Sequence, residues 1–146
     1  MSQETKTILI AVDFQEASQK AIEVAKELAG PLGASLVLVH VCSTPVYAYP
    51  GLAPLMMEGF SEEITGAAQK ALDELARSSG GLESILRQGD AGIELLAVIQ
   101  EKKPFLVVMG THGRRGITHL LLGSVAEKIV RQSPVPVLTV HADKAD

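Results

Sequence analysis

The chain has 146 residues, which fit a single domain over 1–146, and a chain of that size buries roughly 68–70% of its unfolded surface. A formal net charge of -4 gives no general footing for a nucleic-acid partner, whose phosphates must be neutralised. With 47% hydrophobic and only 3% aromatic residues the core must be aliphatic. Cys42 is the one cysteine, which excludes an internal disulfide and a thiolate zinc cluster and points to a reducing compartment. The opening "MSQETKTILIAVDF" has no basic stretch ahead of a long apolar run, and nothing approaches the ~20 apolar residues of a membrane span. A cytoplasmic protein with no membrane partner is expected.

Thr7 to Val12, "TILIAV", and Ala34 to Cys42, "ASLVLVHVC", are short β-branched apolar runs, as strands buried on both faces of a parallel sheet are. Between them Ala17, Ala21, Val24, Ala25 and Leu28 recur at helical spacing, and Gly30, Pro31 and Gly33 are expected to close that helix. Ser43 to Phe60 holds three prolines and reads as an irregular connection, either a plain surface loop or a lid over a site. A helix is predicted over Ser61–Arg77, with Ile64, Ala68, Ala71, Leu72 and Leu75 as its apolar stripe and "SSGG" as its end. Ser84–Gln88 is a weak strand. Asp90 is placed to cap a third helix over Ile93–Gln100, and "FLVVM" at Phe105–Met109 is a strong strand. A fourth helix covers Ser124–Gln132. Pro134 to His141 is the last strand, with Pro134 and Pro136 confining its beginning to a sheet edge or a strand start. The alternation βαβαβαβαβ predicts an α/β domain: an open five-stranded parallel sheet with helices on both faces.

Glycines at 110, 113, 116 and 123 separate the fourth strand from the fourth helix. A strand end, flexible backbone and a helix start gather unpaired N–H groups at the positive end of a helix dipole, where anions bind. Gly110 and Gly113 can let amides approach an oxyanion, the Ser124 hydroxyl can serve a phosphate or cap the helix, and Arg114 and Arg115 add charge. From these residues alone, a phosphate cradle and a loop with an ordinary helix cap both stand.

The spacing Gly110-x2-Gly113-x9-Gly123-Ser124 resembles the ATP-binding signature G-x2-G-x9-G-[ST] of the universal stress protein family. "ILIAVDFQEASQKAIEVAKELA", "LVLVHV", "VVMGTHGRRG" and "LLLGSVAEKIVRQSPVPVLTV" extend the resemblance over nearly the whole chain. It implies the universal stress protein fold (adenine nucleotide alpha hydrolase-like) with strand order 3-2-1-4-5, and a homodimer joined through the C-terminal strand. The implied partner is an adenine nucleotide, ATP, at the carboxyl ends of strands 1 and 4, with Mg²⁺ or Mn²⁺ held through its phosphates. By motif, Ala11, Val12 and Asp13 lie by adenine and ribose, and Val41 meets adenine through its backbone. Met109, Gly110, His112, Gly113, Gly123, Ser124 and Val125 surround ribose and phosphates, with Arg114 beside them. That strand order has its topological switch between strands 1 and 4, where open α/β sheets take ligands. Asp13 retains a second reading, as the N-cap of a D-x-x-E box with Glu16. Lys103-Pro104 and Phe14-Gln15 depart from the family's usual residues and bear on local loop shape.

"SGGLES" at Ser79–Ser84 looks like the pyrophosphate loop of ATP pyrophosphatases, but it follows a helix and precedes a strand, so a helix C-cap is expected. A Walker GxxxxGK[ST] and the acidic neighbours of a phospho-receiver aspartate are missing. His40, His112, His119 and His141 have no metal spacing; His40 and His141 read as packing or surface residues and His112 as a phosphate neighbour. No carboxylate between Gly110 and Val125 can activate water, so hydrolysis is expected to be absent or slow. The reading is therefore an ATP-binding protein with a regulatory or protective role in stress response. A slow ATPase or nucleotidyl-transfer enzyme using the same pocket and a nucleotide-free interaction module are the alternatives.

Overall fold

The computed structural model describes residues 5–43, 54–111 and 123–141. In chain order the elements are β1 (Thr7–Ala11), α1 (Glu16–Leu32), β2 (Ser35–Cys42), α2 (Pro54–Ser78), β3 (Glu83–Gln88), α3 (Ala91–Lys102), β4 (Leu106–Gly110), α4 (Ser124–Gln132) and β5 (Val137–Val140). All pairings are parallel and the strand order is β3-β2-β1-β4-β5. The expected sheet and its order are therefore those of the molecule.

Strand alternation divides the core into two layers. Ile8, Ile10, Leu38 and Val108 point to one face, where Ala21, Ile22 and Ala25 of α1 and Leu72 and Ala76 of α2 cover them. Leu9, Val37, Val39, Val107 and Met109 point to the other, beneath Leu95, Val98 and Ile99 of α3 and Ala126 and Ile129 of α4. β1 and β4 carry a full apolar complement on both faces, which is why their sequences read as unbroken hydrophobic runs.

Three helix boundaries differ from expectation. α1 runs through Gly30 and Pro31 to Leu32 and ends where Gly33 adopts the left-handed conformation, φ 61°; this close to the C-terminus a proline forfeits a single ladder bond, so the helix gains another turn before it stops. α2 begins at Pro54, because proline at the first helical position lacks an N–H that no partner was awaiting. The irregular connection is shorter than Ser43–Phe60 accordingly, and whether it acts as a lid falls on residues 44–53, outside the described residues. α3 gains residues at both ends, with Asp90 as its N-cap through an Oδ1 bond from the Ile93 N–H at 2.9 Å. At the end of α2, Gly80 and Gly81 take positive φ and the N–H groups of Gly81 and Leu82 both bond to the Ala76 carbonyl. That closes the helix as a C-cap and leaves "SGGLES" no pyrophosphate role. No helix of the described residues is long and apolar enough to cross a membrane.

Candidate functional site

A right-handed βαβ crossover starts every helix at the carboxyl edge of the sheet, and the helices after β1 and β4 leave to opposite faces. A cleft open to solvent forms there. Ala11, Val12 and Asp13 come to it from the end of β1, Val39, His40 and Val41 from β2, and Met109 and Gly110 from β4. Ser18 of α1, Ala91 and Leu95 of α3, and Val125 and Ala126 of α4 complete the wall. Three helices thus present their first turns, and with them the positive ends of their dipoles, to one cavity.

The floor is aliphatic and the polar groups cluster at the exit of β1. Asp13 accepts from Ser18 Oγ at 2.6 Å and from the Gln15 N–H at 2.9 Å through Oδ1, while its own N–H donates to Ser18 Oγ at 2.9 Å. Ser18 is buried, 2% exposed, so these bonds fix the carboxylate against the first turn of α1. The N-cap of α1 is Gln15, with no side-chain cap bond, so Asp13 stands two residues ahead of it and does not form the D-x-x-E capping box that was its second reading. Between them Phe14 sits at φ 64°, a left-handed conformation that costs a residue with a Cβ about 1–2 kcal/mol.

Gly110 has a packing reason of its own. A Cβ built there would stand 2.6 Å from Ala17 Cβ and 2.8 Å from the Ala17 carbonyl carbon and oxygen. The first turn of α1 lies directly on the end of β4, and only glycine lets the two meet.

Of the residues expected from the sequence, Ala11, Val12, Asp13, Val41, Met109, Gly110 and Val125 line the cleft together. Gly123 and Ser124 stand at the entrance of α4, just before Val125. Gly123 is itself the N-cap and no side chain caps the helix, so Ser124, the first helical residue, is not the cap that its hydroxyl allowed. His112, Gly113 and Arg114 lie outside the described residues. Two histidines have more specific places than packing or surface. His40 lines the cleft, with Nδ1 2.7 Å from the Val12 carbonyl oxygen and its ring 4.4 Å from that of Phe14. His141 Nδ1 lies 2.6 Å from the hydroxyl of buried Thr111, joining the ends of β4 and β5. Ser18 and His40 were missed because single polar residues on an apolar helix face or strand give no periodic signal. Among the described residues no group of three His, Cys, Asp or Glu side chains can hold a metal ion.

Residues 4–141 match the model of the Universal stress protein family. A universal stress protein from Thermus aquaticus, in the QAH/OAS sulfhydrylase 3'region, is 35% identical over 137 residues, covering 93% of this chain and 98% of the relative. Universal stress protein YxiE of Bacillus subtilis is 31% identical, with 92% and 97% covered. Among solved structures, protein MJ0577 superposes with a TM-score of 0.80 at 22% identity over 96% of this chain and 98% of that one. A universal stress protein in complex with cAMP superposes with a TM-score of 0.61 at 24% identity over 94% and 98%. The chain belongs to the universal stress protein family.

Proposed function

We propose that the cleft binds ATP, with adenine and ribose against β1 and β2 and the phosphates between the end of β4 and the start of α4, and that occupancy serves a regulatory or protective role in stress response. The observation that carries this reading is the convergence of three helix N-termini on one cavity at the topological switch of the sheet, an arrangement that favours an anionic ligand with an apolar body. The intact Gly110, Gly113, Gly123, Ser124 spacing gives the phosphates their place. A divalent ion, Mg²⁺ or Mn²⁺, is held through those phosphates and water. A homodimer forms through the outward edge of β5, and the cytoplasm is its compartment. One relative of this fold is in complex with cAMP, so the choice among adenine nucleotides is part of the test.

Mass spectrometry of ligand released from natively purified protein, and calorimetry with ATP, ADP, AMP and cAMP in the presence of Mg²⁺, test the reading. ATP is expected to bind, and in preference to AMP. Gly123 has φ -57° and ψ 159°, angles open to any residue, so Gly123→Val is expected to fold and to lose binding through contact with the phosphates. Ser124→Ala loses about 1.5–3 kcal/mol if a charge-assisted bond goes. No saturable heat with millimolar ATP refutes the proposal. Turnover is expected to be far below the ~10 s⁻¹ typical of enzymes.

A further inference from the structure

We infer that His40 is a positioning residue of the cleft: its imidazole fixes the turn that carries Asp13, and through that turn sets the affinity for the nucleotide. The second half of the inference rests on the nucleotide reading above; the first does not.

The turn from Val12 to Gln15 joins β1 to α1 and contains a bulky residue in a conformation that favours glycine, Phe14 at φ 64°. A strained turn persists only where its surroundings over-determine it, and among the described residues two sets of contacts do so here. On the α1 side, Ser18 and Asp13 bond to each other and to the Asp13 and Gln15 amides. On the β2 side the holder is His40. The Val12 oxygen can only accept, so the nitrogen 2.7 Å from it, Nδ1, carries the proton. The same ring stands 4.4 Å from that of Phe14 at an interplanar angle of 46°, within the range of favourable tilted aromatic contacts. The Val12 N–H bonds to the Val39 carbonyl at 2.8 Å. Consecutive residues of β2 therefore grip both backbone groups of Val12, one by main chain and one by side chain. Val12 and Asp13 line the cleft, as does His40, so a loosened turn shifts the wall the ligand meets.

Two substitutions separate the donor from the bulk. Asn Nδ2 lies two bonds from Cβ, as His Nδ1 does, and can donate to the Val12 carbonyl; a Leu methyl occupies the same place and cannot. Hydrogen exchange at the Asp13 and Gln15 amides reports the turn without any ligand, and calorimetry with ATP and Mg²⁺ reports the cleft. In His40→Leu, both amides are expected to exchange about tenfold faster while the core amides of Ile10 and Val108 keep their rates, and ATP affinity to fall about tenfold, the scale of one lost hydrogen bond. His40→Asn is expected to restore both to within about threefold. Unchanged exchange in His40→Leu, equal losses in the two variants, or core amides accelerating in step with the turn would each overturn the positioning role. If wild type takes up no ATP, the proposed function fails and the exchange comparison still decides whether His40 holds the turn. If wild type binds ATP and both variants bind as tightly, the link from turn to affinity is wrong.

Discussion

Gly110→Ala isolates the contact that seats α1 on the end of β4. The new methyl carbon would lie 2.6 Å from Ala17 Cβ and 2.8 Å from the Ala17 carbonyl carbon and oxygen, well inside the ~3.5–4.0 Å of favourable carbon contacts. Two of those three neighbours are backbone, so no rotamer change relieves the overlap and either α1 or the end of β4 must move. Overpacking of this kind costs about 1–3 kcal/mol, and the immobile partner places this case in the upper half, about 2–3 kcal/mol. At roughly 3–4 °C per kcal/mol for a domain of this size, the melting temperature should fall by about 6–12 °C. Gly66→Ala is the control: Gly66 lies within α2, is exposed and has nothing within 4 Å of an added Cβ, so removing glycine's backbone freedom should stabilise by about 0.5–1 kcal/mol. Scanning calorimetry on both variants gives shifts of opposite sign. A Gly110→Ala protein melting within 2 °C of wild type would refute the claim that glycine is required there by packing, and would return its explanation to the ligand alone.

Ser18→Ala removes the hydroxyl that accepts from the Asp13 N–H and donates to its carboxylate. Because Ser18 is buried and Asp13 reaches water, the expected loss is about 1–2 kcal/mol, read as a lower urea midpoint with an unchanged slope; an unshifted midpoint would mean that water replaces the hydroxyl at no cost. At the sheet edge, the carbonyls of Pro136 and Val140 accept from Val107 and Thr111, so the strand period points the Leu138 N–H at β4 and that of Thr139 outward. Thr139→Pro should therefore shift the proposed dimer towards monomer with a smaller melting loss than Leu138→Pro, which breaks the ladder within the chain. Light scattering that finds wild type monomeric at high micromolar concentration, or equal melting losses in the two variants, would contradict this.

The strands were legible because β1, β2 and β4 are buried on both faces and so read as continuous apolar runs, whereas the helices betrayed themselves by spacing. The boundaries slipped where a local rule met a stronger tertiary one. Proline near the end of α1 and at the start of α2 reads as punctuation, yet at those two positions it forfeits little, and the apolar residues around it favour more helix. β5 is only Val137–Val140, shorter than the apolar run suggests, because Pro134 and Pro136 have no N–H to give a ladder and both backbone groups of Val135 are bonded to Ser133 Oγ.

At the site, backbone geometry was easier to read than side-chain placement. The residues that end β1 and β4 and the start of α4 came from the motif of the universal stress protein resemblance, which also implied the strand order whose switch point lies there. Nothing comparable marks Ser18 or His40, each a single polar residue whose meaning depends on what the fold brings to it. Gly110 shows the reverse error: its place in a glycine motif invites explanation by the ligand, while Ala17 already requires it. The two causes are coupled. The same approach of α1 to β4 that excludes a Cβ at 110 brings Ser18 under Asp13, and Asp13 into the cleft beside Met109 and Gly110. A substitution that pushes α1 away acts on the polar cluster and the cleft wall together, so stability and ligand affinity should fall in concert at position 110, whereas at Gly123, whose φ of -57° and ψ of 159° any residue adopts, affinity alone should fall.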